Sequence, residues 1–334
     1  QMCIRDRCMR RVLVTAGAFQ RKGQEARRPL LEAGFEVVDS PREGPFSEEE
    51  LIPLLRGCSA VIASMDEYTE RVFQECRELK VVSRWGTGVD SVDIDAATRH
   101  GVLVTNTPCL LADAVADMTI GLMICLARRI AEASAAVRNG SWREVEGVGV
   151  YGKCLGIVGL GSVGSAVARR AKGFGMRVLA YDPAPGKRRA EQLGVELVSL
   201  GQLLSEADFV SLHASLTPEN RHMIGERELR LMKKTAYLIN TARGGLVDQR
   251  SLVRALQEGW IAGAALDTLE EEPPKEKEPL LRIDRCLVTP HSAFYCTEAV
   301  REVNAQVCRN IIDAFSGRRP RFCVNPQAWD SSWS

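Results

Sequence analysis

Among the four histidines of this 334-residue chain, one has a setting that suggests chemistry: the apolar run CLVT, residues 286–289, breaks at Pro290, and His291 follows at once. A short strand ending there would set the ring at the rim of a sheet, the edge where open α/β folds bind their ligands. An ordinary imidazole titrates near pH 6.5 and can give and take a proton under physiological conditions, so general acid–base chemistry is its natural use. A second constellation is GLGSVG, in which Gly159, Gly161 and Gly164 form G-x-G-x-x-G directly after a strand-like run and at the start of a helix-like one. The first glycine allows a tight turn, the second lets backbone approach a pyrophosphate, and the third lets helix pack on strand. The N–H groups that open the helix, at Ser162 and Val163, and the positive end of its dipole would then face the phosphates. Asp182 closes the strand RVLAYD 18 residues beyond Gly164, close to the spacing of about 20 at which an acid accepts the ribose hydroxyls of NAD. A carboxylate there repels the extra phosphate of NADP, so NAD is the expected cofactor, while Lys187 and Arg188 nearby keep NADP open.

The elements that must position these groups alternate along the chain. From Arg11, short β-branched runs (VLVT, FEVV, AVIAS, VVSRW, VLVTN) are separated by helical stretches, the pattern of parallel strands joined by crossover helices. Residues 110–138 read as one long, largely apolar helix ending at Asn139 and Gly140, and a helix apolar nearly all round must be buried. The alternation restarts at Cys154 and runs through RVLAYD, VELVS, DFVSLH, TAYLIN and IAGAALD to CLVTP, followed by a last helix, TEAVREVNAQVCRNIIDAF.

Composition bounds the function classes. Lys plus Arg number 44 against 43 Asp plus Glu, so there is no general attraction to nucleic acid or an anionic membrane. No apolar run reaches the roughly 18 residues that span a bilayer. The eleven cysteines are scattered without a CxxC pair, which predicts neither a disulfide framework nor a zinc site, and no metal is expected. A reducing cytoplasm fits. Residues 1–8, polar and preceding a second methionine at Met9, read as an extension without a structural role.

The phosphate fingerprint in the second half of the chain, with NTARGGLVD (240–248), AGAALDTLEEEPP (262–274) and TPHSAF (289–294), resembles the D-isomer specific 2-hydroxyacid dehydrogenase family from about Val12 to Pro326. The segment RWGTGVDSVDIDAATRHGVLVTNTP is similar to the phosphoglycerate dehydrogenase branch. The resemblance implies an α/β fold of two doubly wound parallel-sheet domains, with a Rossmann NAD domain (108–296) inserted into a flavodoxin-like substrate domain (9–107 and 297–326). It implies NAD-dependent interconversion of a D-2-hydroxy acid and its 2-oxo acid. It places the catalytic arginine at Arg243, its glutamate at Glu272 and the acid–base histidine at His291. Asp267 matches the aspartate that contacts the nicotinamide carboxamide, Thr241 and His213 match positions near the cofactor, and Gly86, Thr87 and Gly88 match the loop whose backbone holds the substrate carboxylate. Such chemistry needs these residue types: an arginine grips a carboxylate and a carbonyl oxygen in a planar fork, the histidine moves the proton, and the glutamate orients the ring and favours its charged form. Glu270 and Glu271 read as solvated, and His100 and His222 as carrying no function.

Departures from the family pattern bear on the substrate. Ala63 stands where the phosphoglycerate branch carries an arginine for the substrate phosphate, although Arg84 could substitute. Leu110 and Leu111 resemble the glyoxylate/hydroxypyruvate reductase branch, and HSAFY resembles the C-terminal-binding-protein corepressors, NAD-sensing binding proteins of the same fold. The chain stops soon after VNP, so no C-terminal regulatory domain is expected. A homodimer is expected, because the long apolar helix needs more cover than one small domain offers.

Overall fold

The structure, a computed structural model, describes residues 10–184 and 186–333. The proposed extension at residues 1–8 lies outside them. The chain divides into two units, residues 1–111 with 296–334 and residues 112–295.

The first unit is a five-stranded parallel sheet of β1 (Arg10–Val14), β2 (Phe35–Asp39), β3 (Cys58–Ala63), β4 (Val81–Arg84) and β5 (Leu103–Thr105), in the order β2-β1-β3-β4-β5. Its strands read as continuous apolar runs because helices cover both faces. Leu13, Val61 and Val82 lie in one buried cluster with Phe73 of helix Glu70–Glu75 and Leu51 of helix Glu48–Leu55. The last long helix, Thr297–Phe315, returns to this sheet: Ser83 Oγ on β4 donates to the carbonyl of Val307 at 3.0 Å.

The second unit carries seven parallel strands: β6 (Cys154–Val158), β7 (Arg177–Tyr181), β8 (Glu196–Leu197), β9 (Phe209–Leu212), β10 (Tyr237–Asn240), β11 (Gly263–Leu266) and β12 (Cys286–Val288). Their order is β12-β11-β10-β9-β6-β7-β8. Successive residues of β10 show how the two faces are filled, since Leu238 packs into one buried cluster and Ile239 into the other. Each such side chain stabilises by roughly 1.5–3 kcal/mol on burial. The strand order reverses between β6 and β9, which makes the carboxyl ends of these two strands the topological switch point.

The single helix expected over 110–138 is two helices, Ala112–Ala127 and Ile130–Arg138, broken at Arg129 in the left-handed conformation (φ 53°). A returning loop ends the first helix. Val148 N–H donates to the carbonyl of Ala127 at 2.7 Å, and the loop passes so close that a Cβ on Gly147 would lie 2.7 Å from both Ala127 O and Arg128 Cα. Arg129 is then clamped by Glu132, with Nε and Nη2 each 2.8 Å from a carboxylate oxygen. The first helix is largely buried, as expected, whereas the second buries no residue. No helix of the described residues is long and apolar enough to cross a membrane.

Candidate functional site

At the carboxyl end of β6 the chain turns through Gly159, whose φ of +93° only glycine adopts freely. A Cβ at this position would lie 2.7 Å from the backbone nitrogen of Ala214, so the loop also needs the missing side chain to pass β9. Gly164 is tighter still, because its Cβ would fall 2.1 Å from the carbonyl oxygen of Gly159. Gly161 differs: an added Cβ meets nothing within 4 Å, which leaves open room in front of helix Ser162–Gly173. Ser162 and Val163 open that helix, so their N–H groups have no intrahelical acceptor. Free amides, a positive helix end and unfilled space fit a pyrophosphate.

Asp182 follows β7 and stiffens this loop, accepting from Leu160 N–H at 2.8 Å with one carboxylate oxygen and from Ala184 N–H at 2.9 Å with the other. Arg189, which the sequence reading passed over for its neighbours Lys187 and Arg188, donates to the carbonyl of Leu160 at 3.2 Å. Across the switch point, His213 N–H donates to Val158 O at 2.7 Å, and its Nε2 lies 2.8 Å from Ser211 Oγ. Its Nδ1 is buried without a partner. Burial pushes the imidazole down to about 3, so the ring is neutral at physiological pH.

The carboxyl ends of β10, β11 and β12 carry the remaining groups. After β10, Asn240 staples the turn: its Oδ1 accepts from Ala242 N–H at 3.0 Å and its Nδ2 donates to Arg243 O at 2.9 Å. Thr241 Oγ1 lies 2.8 Å from Thr119 Oγ1 on helix Ala112–Ala127. Arg243 leaves the turn in extended conformation, with Nη1 donating to Ala242 O at 2.8 Å. Neither Asn240 nor Thr119 was singled out in the sequence. The asparagine was readable as a turn former at a strand end, whereas Thr119 acts through a partner 122 positions away.

Asp267, after β11, is 1% exposed and holds the loop that bears the histidine. Its Oδ1 accepts from Thr289 Oγ1 at 2.5 Å and Ser292 N–H at 3.0 Å, its Oδ2 from Ala293 N–H at 2.8 Å, and its carbonyl from His291 N–H at 2.9 Å. His291 adopts φ 48°, a left-handed backbone that this grip fixes. Its Nδ1 lies 2.6 Å from Glu272 Oε2, while the other oxygen of Glu272 accepts from Leu269 N–H at 2.9 Å. Burial raises the Glu272 carboxyl, but the hydrogen bond and charge of His291, the Leu269 amide and the charge of Arg243 outweigh it and hold the group below the usual carboxylate range. Glu270 is not merely solvated. It exchanges backbone-to-side-chain bonds of 3.0 and 3.1 Å with Gln249 and lies 3.1 Å from His222, tying the segment of Glu272 to the segment that follows Arg243. Glu271 pairs with Lys275 at 2.8 Å on the surface.

The proposed carboxylate loop belongs to the first unit, just beyond β4. Gly86 (φ 131°) donates its N–H to Thr107 Oγ1 at 3.1 Å and accepts from Thr107 N–H at 2.9 Å. Asn106 Nδ2 fixes the carbonyl of Thr87 at 2.7 Å. Among the described residues nothing accepts from the N–H groups of Thr87 and Gly88, so two adjacent donors stand ready. Nearby, Ala63 ends β3 fully buried, and Arg84 is 7% exposed. The guanidinium of Arg84 turns inward to the carbonyls of Ala63 and Trp85 and lies 2.6 Å from Met65 Sδ. Leu111 is buried and Leu110 half-buried.

Residues 120–293 match the family described as D-isomer specific 2-hydroxyacid dehydrogenase, NAD binding domain. A glyoxylate reductase of Korarchaeum cryptofilum is 43% identical over 304 residues, covering 89% of this chain and 92% of that one. A D-3-phosphoglycerate dehydrogenase of Methanocaldococcus jannaschii is 42% identical over 305 residues, 89% of this chain but 58% of that longer one. The apo-structure of D-lactate dehydrogenase from Escherichia coli superposes with a TM-score of 0.84 at 31% identity, covering 95% of this chain and 100% of that one.

Proposed function

This chain belongs to the D-isomer specific 2-hydroxyacid dehydrogenase family and is an NAD-dependent oxidoreductase of 2-hydroxy acids, and from that premise we propose that its substrate is a small unphosphorylated 2-oxo acid of the glyoxylate or hydroxypyruvate kind. One observation carries the choice. Ala63 ends β3 without a charged side chain, and Arg84 spends its guanidinium on backbone carbonyls instead of presenting it to a phosphate. A second reading, a phosphoglycerate dehydrogenase-like activity, is favoured by the similarity of 42% to the enzyme of M. jannaschii.

The residues divide the work as follows. The amides of Ser162 and Val163 take the pyrophosphate in front of Gly161, and Asp182 takes the ribose hydroxyls, with Gly159 and Gly164 shaping the loop. Thr241, His213 and Asp267 belong to the nicotinamide end of the same row of strand termini. NAD, when bound, accepts or supplies the hydride. Thr87 and Gly88 N–H donate to the substrate carboxylate, and Arg243 grips carboxylate and carbonyl oxygen in its planar fork. Glu272 holds Nδ1 of His291, so Nε2 is the atom that delivers a proton to the carbonyl oxygen on reduction and withdraws it on oxidation. We assign residues 9–107 and 297–326 to the substrate domain and 108–296 to the NAD domain. A cytoplasmic site of action agrees with nine unpaired cysteines among the described residues, and a homodimer with the exposed helix Ile130–Arg138.

The test is NADH oxidation with glyoxylate, hydroxypyruvate, pyruvate and phosphohydroxypyruvate. We expect kcat/KM for hydroxypyruvate to exceed that for its phosphorylated form by at least about tenfold, the worth of one missing charged hydrogen bond. The reverse order would establish the second reading.

A further inference from the structure

The first unit contains a cavity of about 410 Å³ lined by Arg10, Lys80, His100, Phe315, Gly317 and Trp333, among others. Arg10 opens β1 and Lys80 directly precedes β4, so the cavity lies at the amino edge of the sheet, whereas the Gly86 loop follows the carboxyl end of β4. The four residues of β4 alone separate the two by roughly 13 Å. We propose that this cavity is a second ligand site, for a purine mononucleotide.

Four features point to a flat ring that bears a phosphate. The volume is that of small-molecule sites. Phe315 and Trp333 meet edge to face with centroids 5.4 Å apart, and Trp333 is backed by Trp329 in a stack of 5.6 Å, which fixes an aromatic wall against which a base can lie. Arg10 sits over the Phe315 ring, 4.7 Å from its centroid, and no carboxylate pairs with Arg10 or Lys80 among the described residues. The neighbouring acid, Glu70, is occupied by His100 at 2.6 Å and by Arg99, so it does not neutralise these two cations. Two cations within one concave site suit a phosphate. An added Cβ on Gly317 would meet nothing within 4 Å, so space remains there.

Because adenosine phosphates also fit a dinucleotide site, the experiment is calorimetric titration of AMP into the full-length protein saturated with NADH, with adenosine and inorganic phosphate as separate titrants. We expect one saturable AMP site per chain. Affinity should fall at least about tenfold in the Arg10→Gln/Lys80→Gln double variant, whose altered side chains are exposed, and also in Trp333→Phe. Adenosine and phosphate should each bind more weakly than AMP. Turnover of the 2-oxo acid without AMP should be unchanged in these variants and reports that they fold. Absence of saturable binding with NADH present, an affinity unmoved by the double variant, or adenosine binding as tightly as AMP would each overturn the proposal.

Discussion

At the scale of single residues, the proposed acid–base role of His291 rests on its contact with Glu272. The folded protein holds Glu272 below its ordinary value, so the pair adds stability that is present above the unfolded carboxylate pKa of about 4.3 and is lost as pH falls through the lower folded value. In the proposed mechanism reduction draws its proton from His291, whose Nδ1 lies 2.6 Å from Glu272 Oε2. Glu272→Gln keeps an acceptor but removes the charge. It should therefore lower kcat/KM for reduction at pH 7.5 by about 10- to 100-fold in steady-state assays at saturating NADH. An unchanged kcat/KM would show that the glutamate does no more than hold the ring. Arg243→Lys should retain charge yet lose the fork, lowering kcat/KM by about 100-fold in steady-state assays at saturating NADH. These residues stood out in the sequence because each follows a strand end inside an unusual local motif. Thr119 and the cluster of Glu270, Gln249 and His222 did not, since their partners lie 20 or more positions away and only tertiary packing brings them together.

At the scale of elements, the phosphate loop separates two roles that the sequence gives to one motif. A methyl group on Gly164 collides with the carbonyl of Gly159, so Gly164→Ala must open the turn between strand and helix. It should lower stability by about 1–3 kcal/mol and also weaken NADH binding. Gly161 has φ −72° and open space where a Cβ would stand, so alanine costs the fold little and intrudes only on the room assigned to the pyrophosphate in our proposal. Gly161→Ala should melt close to the parent while NADH binding, followed by fluorescence titration, weakens at least about tenfold. Equal melting losses in both variants would reject this division. The strand and helix series was readable from periodicity, because buried parallel strands are apolar on both faces. The break at Arg129 was not, for it depends on Val148 returning to capture the carbonyl of Ala127, and the apolar pattern continues across it.

At the scale of the whole molecule, sequence alternation was enough to foresee two parallel-sheet units, yet it misjudged which apolar surface needs a partner. Helix Ala112–Ala127 is largely covered within its own unit. A run of uncovered apolar groups follows it: Ile130 and Val137 are each nearly half exposed, Val148 somewhat less, and Trp142 and Tyr151 are 91% and 80% exposed. Five large apolar side chains within 22 positions are costly to leave in water, and a second copy of the chain is the partner we propose for them. Sedimentation velocity at micromolar concentration should give a dimer. Trp142→Glu combined with Tyr151→Glu should shift it towards monomer without lowering helix content, because neither side chain packs in the core. A parent protein that sediments as a monomer, or a variant that stays dimeric, would place the association surface elsewhere and leave Trp142 and Tyr151 to a different partner.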